Sequence, residues 1–126
     1  MREVDRPDVV AEVTAAFDRY EQALRANDAA TLTELFWTDP RTTRFGDGEN
    51  LYGSEAIAAF RAARLPVNTA RSLGRVLITA FGDDMAVASA EFSRGDGRAG
   101  RQTQTWWRTD DGWRVVNAHV SFLNVP

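Results

Sequence analysis

Beyond residue 69 the apolar residues recur at every second position. Three clusters of turn residues cut this run: Gly82-Asp83-Asp84, Gly95-Asp96-Gly97 and Asp110-Asp111-Gly112. Alternation of this kind is the signature of β-strands with two different faces. It predicts strands over 69–81, 85–93, 99–108 and 113–123. Turns this short join antiparallel neighbours, so this part of the chain is a meander.

The N-terminal part has a different period. Val9, Val10, Val13, Phe17, Tyr20 and Leu24 recur at three- and four-residue steps behind Pro7 and Asp8, as one face of an amphipathic helix does. Asn27 and Asp28 end that helix and cap a shorter one carrying Leu32, Leu35 and Phe36, which Asp39-Pro40 breaks. A short strand over 41–45, a turn at Gly46-Asp47-Gly48 and an extended piece at Glu49–Tyr52 follow. Ser54 is placed to cap a third helix with Ile57, Phe60 and Leu65, stopped by Pro66. Helices followed by an antiparallel meander define an α+β fold: a single domain, residues 1–126, with helices on one face of a curved sheet.

The 126 residues suffice for a buried core. A net charge of −3 argues against a sequence-independent nucleic-acid binder. The absence of cysteine excludes disulfides, thiolate nucleophiles and zinc–sulfur sites. No apolar run approaches the ~20 residues needed to span a bilayer. The N-terminus lacks the apolar core of a signal peptide, so the expected location is the cytoplasm.

Two-residue turns at Asp96-Gly97 and Asp111-Gly112 would set Gln104 opposite His119, Gln102 opposite Ser121 and Trp106 opposite Asn117. One sheet face would then carry Ser89, Glu91, Gln102, Gln104, Asn117, His119 and Ser121, with Val87, Trp106 and Val115. The other would carry Ala88, Ala90, Phe92, Thr103, Thr105, Trp107, Val116, Ala118, Val120 and Phe122. Either the polar face meets solvent and the helices cover the apolar face, or the helices close over part of the polar face and the apolar face joins two copies as a homodimer; Trp106 and Val115 on the polar side point to the second.

Arg44 is the residue out of place. Alternation sends it to the side opposite Phe45, shared with Thr42. A planar guanidinium grips a carboxylate with paired hydrogen bonds. Arg44 either grips a substrate carboxylate, pairs with Glu49 or lies on the surface. Tyr20, on the apolar helix face, is either a core tyrosine or a phenol that donates to an oxyanion or passes a proton. His119, the sole histidine, is a candidate base or a hydrogen-bonded sheet residue. Gln104 and Ser121 read as orienting groups, and Arg71, at a strand start, as a second anion contact. No cluster has metal-ligand spacing, and no cofactor is expected.

The segments "ELFWTDPRTTRFGDGENLYGSEAIAAFRAAR" (34–64), "ITAFGDD" (78–84) and "GRQTQTWWRTDDGWRVVNAHVSF" (100–122) resemble the NTF2-like superfamily, near its SnoaL-like proteins and within its AtzH-like branch. The resemblance runs from about residue 8 to 123 and implies three N-terminal helices packed on a curved, mostly antiparallel sheet that encloses a pocket. It also implies an amide hydrolase coupled to decarboxylation, acting on small carboxylated ureas. A helix tyrosine and a strand arginine form the essential pair, here Tyr20 and Arg44. Arg71, Gln104, His119 and Ser121 would bind substrate. Two alternatives remain open. One is a non-catalytic, anion-binding accessory of a partner amidase. The other is an isomerase that resembles ketosteroid isomerases, with Asp39 as base and Tyr20 as donor.

Overall fold

A computed structural model describes residues 2–64 and 70–124. Its elements are α1 (Pro7–Ala26), α2 (Ala29–Glu34), β1 (Thr43–Phe45), β2 (Asn50–Tyr52), α3 (Ser54–Ala63), β3 (Ser72–Phe81), β4 (Met85–Ser93), β5 (Ala99–Thr109) and β6 (Gly112–Phe122). The strands form one six-stranded sheet in the order β2-β1-β6-β5-β4-β3. All neighbours are antiparallel except β1 and β6, which run parallel. No helix among the described residues is long and apolar enough to cross a membrane.

Local chemistry explains the helix ends. Pro7 opens α1, where a missing N–H costs nothing. Asn27 closes it in a left-handed conformation that asparagine tolerates. Asp28 then caps α2, accepting from Thr31 N at 3.1 Å and from Thr31 Oγ1 at 2.7 Å. The α2 helix is shorter than its apolar pattern predicts. It stops at Glu34, because Leu35 and Trp37 exchange backbone hydrogen bonds with Val115 of β6. Ser54 is the first helical residue of α3 rather than its cap. Its Oγ accepts from Asp39 N at 3.0 Å and ties down the preceding loop. Leu65 and Pro66 lie outside the described residues.

The buried face of α1 carries Val9, Val13, Phe17, Tyr20 and Leu24. These pack against Trp106, Ala80, Ala86, Ala88 and Val115 from the sheet, with Leu35, Phe36 and Ile57 beside them. Tyr20 meets Phe36 and Trp106 edge-on at centroid distances of 6.1 and 6.3 Å.

The sheet register corrects the expected division of faces. The β5–β6 turn is Asp110-Asp111, so Thr109 pairs with Gly112, and a bulge between Thr105 and Trp106 inserts Val116. The result is Gln104 opposite Ala118, Gln102 opposite Val120 and Trp106 opposite Val115. The β4–β5 connection is likewise longer than two residues, and Ala88, not Ser89, faces Gln104. A one-residue slip sends every side chain of a strand to the other face. The face beneath the helices therefore holds Ala86, Ala88, Ala90, Phe92, Gln102, Gln104, Trp106, Val115, Ala118 and Val120. Ser89, Glu91, Asn117, His119 and Ser121 lie on the opposite, outer face.

Candidate functional site

One row crosses the inner face through Cα partners Arg44, Ala118, Gln104 and Ala88. Adjacent strands lie about 4.8 Å apart, so Arg44 and Gln104 stand about 10 Å from each other across a single alanine. Tyr20 of α1 packs against Trp106 on this face, and Arg61 of α3 meets Tyr20.

Arg44 is only 4 % exposed and Thr42, on the same side, is fully buried. Arg44 Nη1 donates to Glu49 Oε1 at 2.8 Å, so the in-chain partner is indeed present. Gly46 permits this pairing. A Cβ there would collide with the Glu49 carboxylate and lie 2.8 Å from Arg44 Nη1. Arg44 Nε is buried with no acceptor among the described residues, and the guanidinium sits 5.0 Å from the Phe60 ring. Arg64 lies over the same ring at 5.4 Å.

Tyr20 is buried, and its hydroxyl accepts from Arg61 Nη2 at 2.8 Å. The phenol thus keeps its own proton to donate. Arg61 is 5 % exposed and its Nε has no acceptor among the described residues. Burial pushes the Arg61 guanidinium below its ordinary range. Tyr20 opposes that shift, while Arg44 and Arg64 add to it by like-charge repulsion. Arg64 is lowered as well, by burial and then by Arg94 and Arg44. Gln104 is fully buried. Trp106 Nε1 donates to its Oε1 at 3.1 Å, which orients the amide and leaves Nε2 without an acceptor.

The structure brings together Tyr20, Arg44 and Gln104 but not the other candidates. Arg71 precedes β3 rather than beginning it. Its Nε and Nη2 donate to the two Glu21 carboxylate oxygens at 2.8 and 3.0 Å, and Gln102 Nε2 donates to the same carboxylate at 3.3 Å. This buried fork ties α1 to the sheet and has little left for a ligand. His119 is exposed on the outer face, its ring packed on Phe45 at 6.2 Å, so it does not reach the inner row. Ser121, on the same outer face, accepts from Arg101 at 3.1 Å. Asp39 is held by Arg41, whose Nε and Nη2 donate at 2.8 and 3.0 Å. The Arg41 hydrogen bonds keep the Asp39 carboxyl below the ordinary carboxylate range, which makes it a weak base. Arg61 escaped the sequence reading. Its signal was present: position 61 follows Ile57 by four residues and therefore shares the buried face of α3. No group of three or more potential metal ligands occurs among the described residues.

Layered helices on a curved six-stranded sheet, with polar side chains on the covered face, define an NTF2-like, cystatin-like α+β protein. The chain belongs to the AtzH-like family, whose model matches residues 2–126. It is similar to a protein of unknown function from Pectobacterium atrosepticum, with 56 % identity over 96 % of this chain and 95 % of that one and a TM-score of 0.93. A cystatin-like fold protein from Burkholderia xenovorans is 46 % identical over the whole of both chains, with a TM-score of 0.95. An NTF2-like superfamily protein from Salmonella enterica shares the fold at 24 % identity over 94 % and 93 % of the two chains, with a TM-score of 0.75. No curated protein matches the chain with significance.

Proposed function

We propose that this protein hydrolyses a small carboxylated amide or urea, with or without loss of carbon dioxide, in the space beneath α1 and α3. The observation that carries this reading is an excess of buried donors: Arg44 Nε, Arg61 Nε and Gln104 Nε2 have no acceptor among the described residues. Buried donors left unpaired are costly, and an acceptor-rich anion relieves several at once. A carboxylate is such a group, and guanidinium donors suit it.

In this reading Arg44 and Gln104 hold the carboxylate-bearing end of the substrate. Tyr20 stabilises charge on the carbonyl oxygen or delivers its proton to the nitrogen. Water attacks the carbonyl carbon, the C–N bond breaks and the amine leaves protonated. A carbamate-type carboxylate loses carbon dioxide once its nitrogen is protonated, so the chemistry requires neither metal nor cofactor.

A second reading is favoured by the Arg44–Glu49 pair, which partly satisfies the arginine within the chain. In it the protein is a non-catalytic anion-binding accessory of an amidase. A turnover screen over small carboxylated amides and ureas separates the two. Hydrolysis by the isolated protein, abolished in both Tyr20→Phe and Arg44→Ala while circular dichroism is unchanged, is the expected result. Wild-type rates in both variants would remove these residues from the mechanism. Binding without turnover, together with co-purification of an amidase, would favour the accessory role.

The outer sheet face supports a homodimer. Leu77, Phe81 and Met85 are exposed there beside Val87 and Trp107, an apolar area that favours a partner surface.

A further inference from the structure

Arg61 donates to the Tyr20 hydroxyl and Arg44 lies over the Phe60 ring, and the electrostatic situations of these two arginines differ. The charge of Arg44 is balanced: Glu49 Oε1 lies 2.8 Å from its Nη1. Arg61 is equally buried, yet no carboxylate among the described residues pairs with it. Its one hydrogen-bond partner there is the Tyr20 hydroxyl. Its cationic neighbours are Arg44 and Arg64, both of which oppose its charge. A guanidinium does not escape this by giving up its proton at physiological pH. A buried charge without a counter-charge is costly, and a bound anion offsets that cost.

We propose that Arg61, rather than Arg44, supplies the net positive charge that recognises the substrate's carboxylate. Arg44, neutralised by Glu49, contributes directed hydrogen bonds. This rests on the carboxylate-hydrolysis reading and refines it. Because Arg61 also donates to Tyr20, the carboxylate is bound next to the phenol that serves the reacting centre. Charge recognition and proton donation are coupled through one side chain. Glu49 then lowers affinity for anions in general, because it cancels a second charge that would otherwise attract them.

Malonate serves as the anion probe, with binding read by calorimetry and by thermal shift at constant ionic strength. Arg61→Gln retains a donor for the Tyr20 oxygen and removes the charge. Arg61→Lys retains the charge and removes the planar fork. The expected result is wild-type binding, affinity reduced about tenfold or more in Arg61→Gln, and a smaller loss in Arg61→Lys. Glu49→Gln is expected to bind malonate more tightly than wild type. Circular dichroism verifies each fold, and Arg61→Met replaces Arg61→Gln if the latter does not fold. Undiminished binding by Arg61→Gln, with binding lost in Arg44→Ala, would overturn the proposal and leave the carboxylate site standing on Arg44. Failure of wild type and Glu49→Gln alike to bind would overturn both the proposal and the carboxylate reading beneath it.

Discussion

At the scale of single residues, two buried arginines that look alike in sequence have different work. Arg71 is matched by Glu21 through a two-pronged contact, with Gln102 completing the carboxylate's partners. Removing one member of such a pair strands the other. Arg71→Ala is therefore expected to lower the unfolding free energy by about 3–5 kcal/mol, measured by urea denaturation. Glu21→Gln should destabilise in the same direction. A loss under about 1 kcal/mol in Arg71→Ala would mean the pair behaves like a surface contact. Arg61 is unmatched, and that difference separates a structural arginine from a ligand-seeking one. The sequence reading singled out Arg44 within a strand and Arg71 at a strand start, and passed over Arg61. It could not show which of them had found an acid. Glu21 is fifty positions from Arg71, and only folding brings the two together.

At the scale of elements, the capping and packing devices make separable predictions. Thr31 donates from its hydroxyl and its backbone N–H to Asp28, and these hydrogen bonds depress the pKa of that carboxyl. A carboxyl depressed in the folded state stabilises above its unfolded-state value and loses that contribution as the pH falls through its folded value. Asp28→Ala should therefore melt below wild type at neutral pH, and the gap should close below about pH 4. Asp28→Asn, which also caps but does not titrate, should show no such closure. A gap independent of pH would place the cap's contribution elsewhere. In the sheet, Gly100 pairs with Phe92 and leaves room for its ring, which a Cβ would strike. Gly100→Ala is expected to cost about 1–3 kcal/mol in denaturant unfolding as an overpacked site. Strand positions and helix starts were legible because they depend on residues close in sequence. The sheet register was not, because turn length and the Val116 bulge are settled by packing across strands.

At the scale of the molecule, the sheet has two unlike faces. The inner one is covered by helices and holds the arginine–tyrosine cluster. The outer one exposes Leu77 at 56 % and Phe81 at 50 %. Leu77→Asp is expected to convert a homodimer to a monomer in light scattering at micromolar concentration, leaving the circular dichroism spectrum unchanged. A wild-type protein that is already monomeric would remove the dimer from the proposal. His119 and Ser121 belong to this outer surface. His119→Ala should therefore leave malonate affinity unaltered, whereas a loss of affinity would return the histidine to the site.

The sequence by itself determined the α+β class, the helix and strand order, the place of Tyr20 on the apolar face of the first helix, and the resemblance that places the chain in its family. All of these rest on periodicity, capping residues and local motifs, which act over a few positions. Tertiary structure alone decided which face the helices cover, that His119 points away from the site, that Arg71 is matched, and that Arg61 is not. Each depends on a one-residue register or on a charge pair distant in sequence. In both cases the outcome follows from the free energy of burying polar groups together, which no local pattern records.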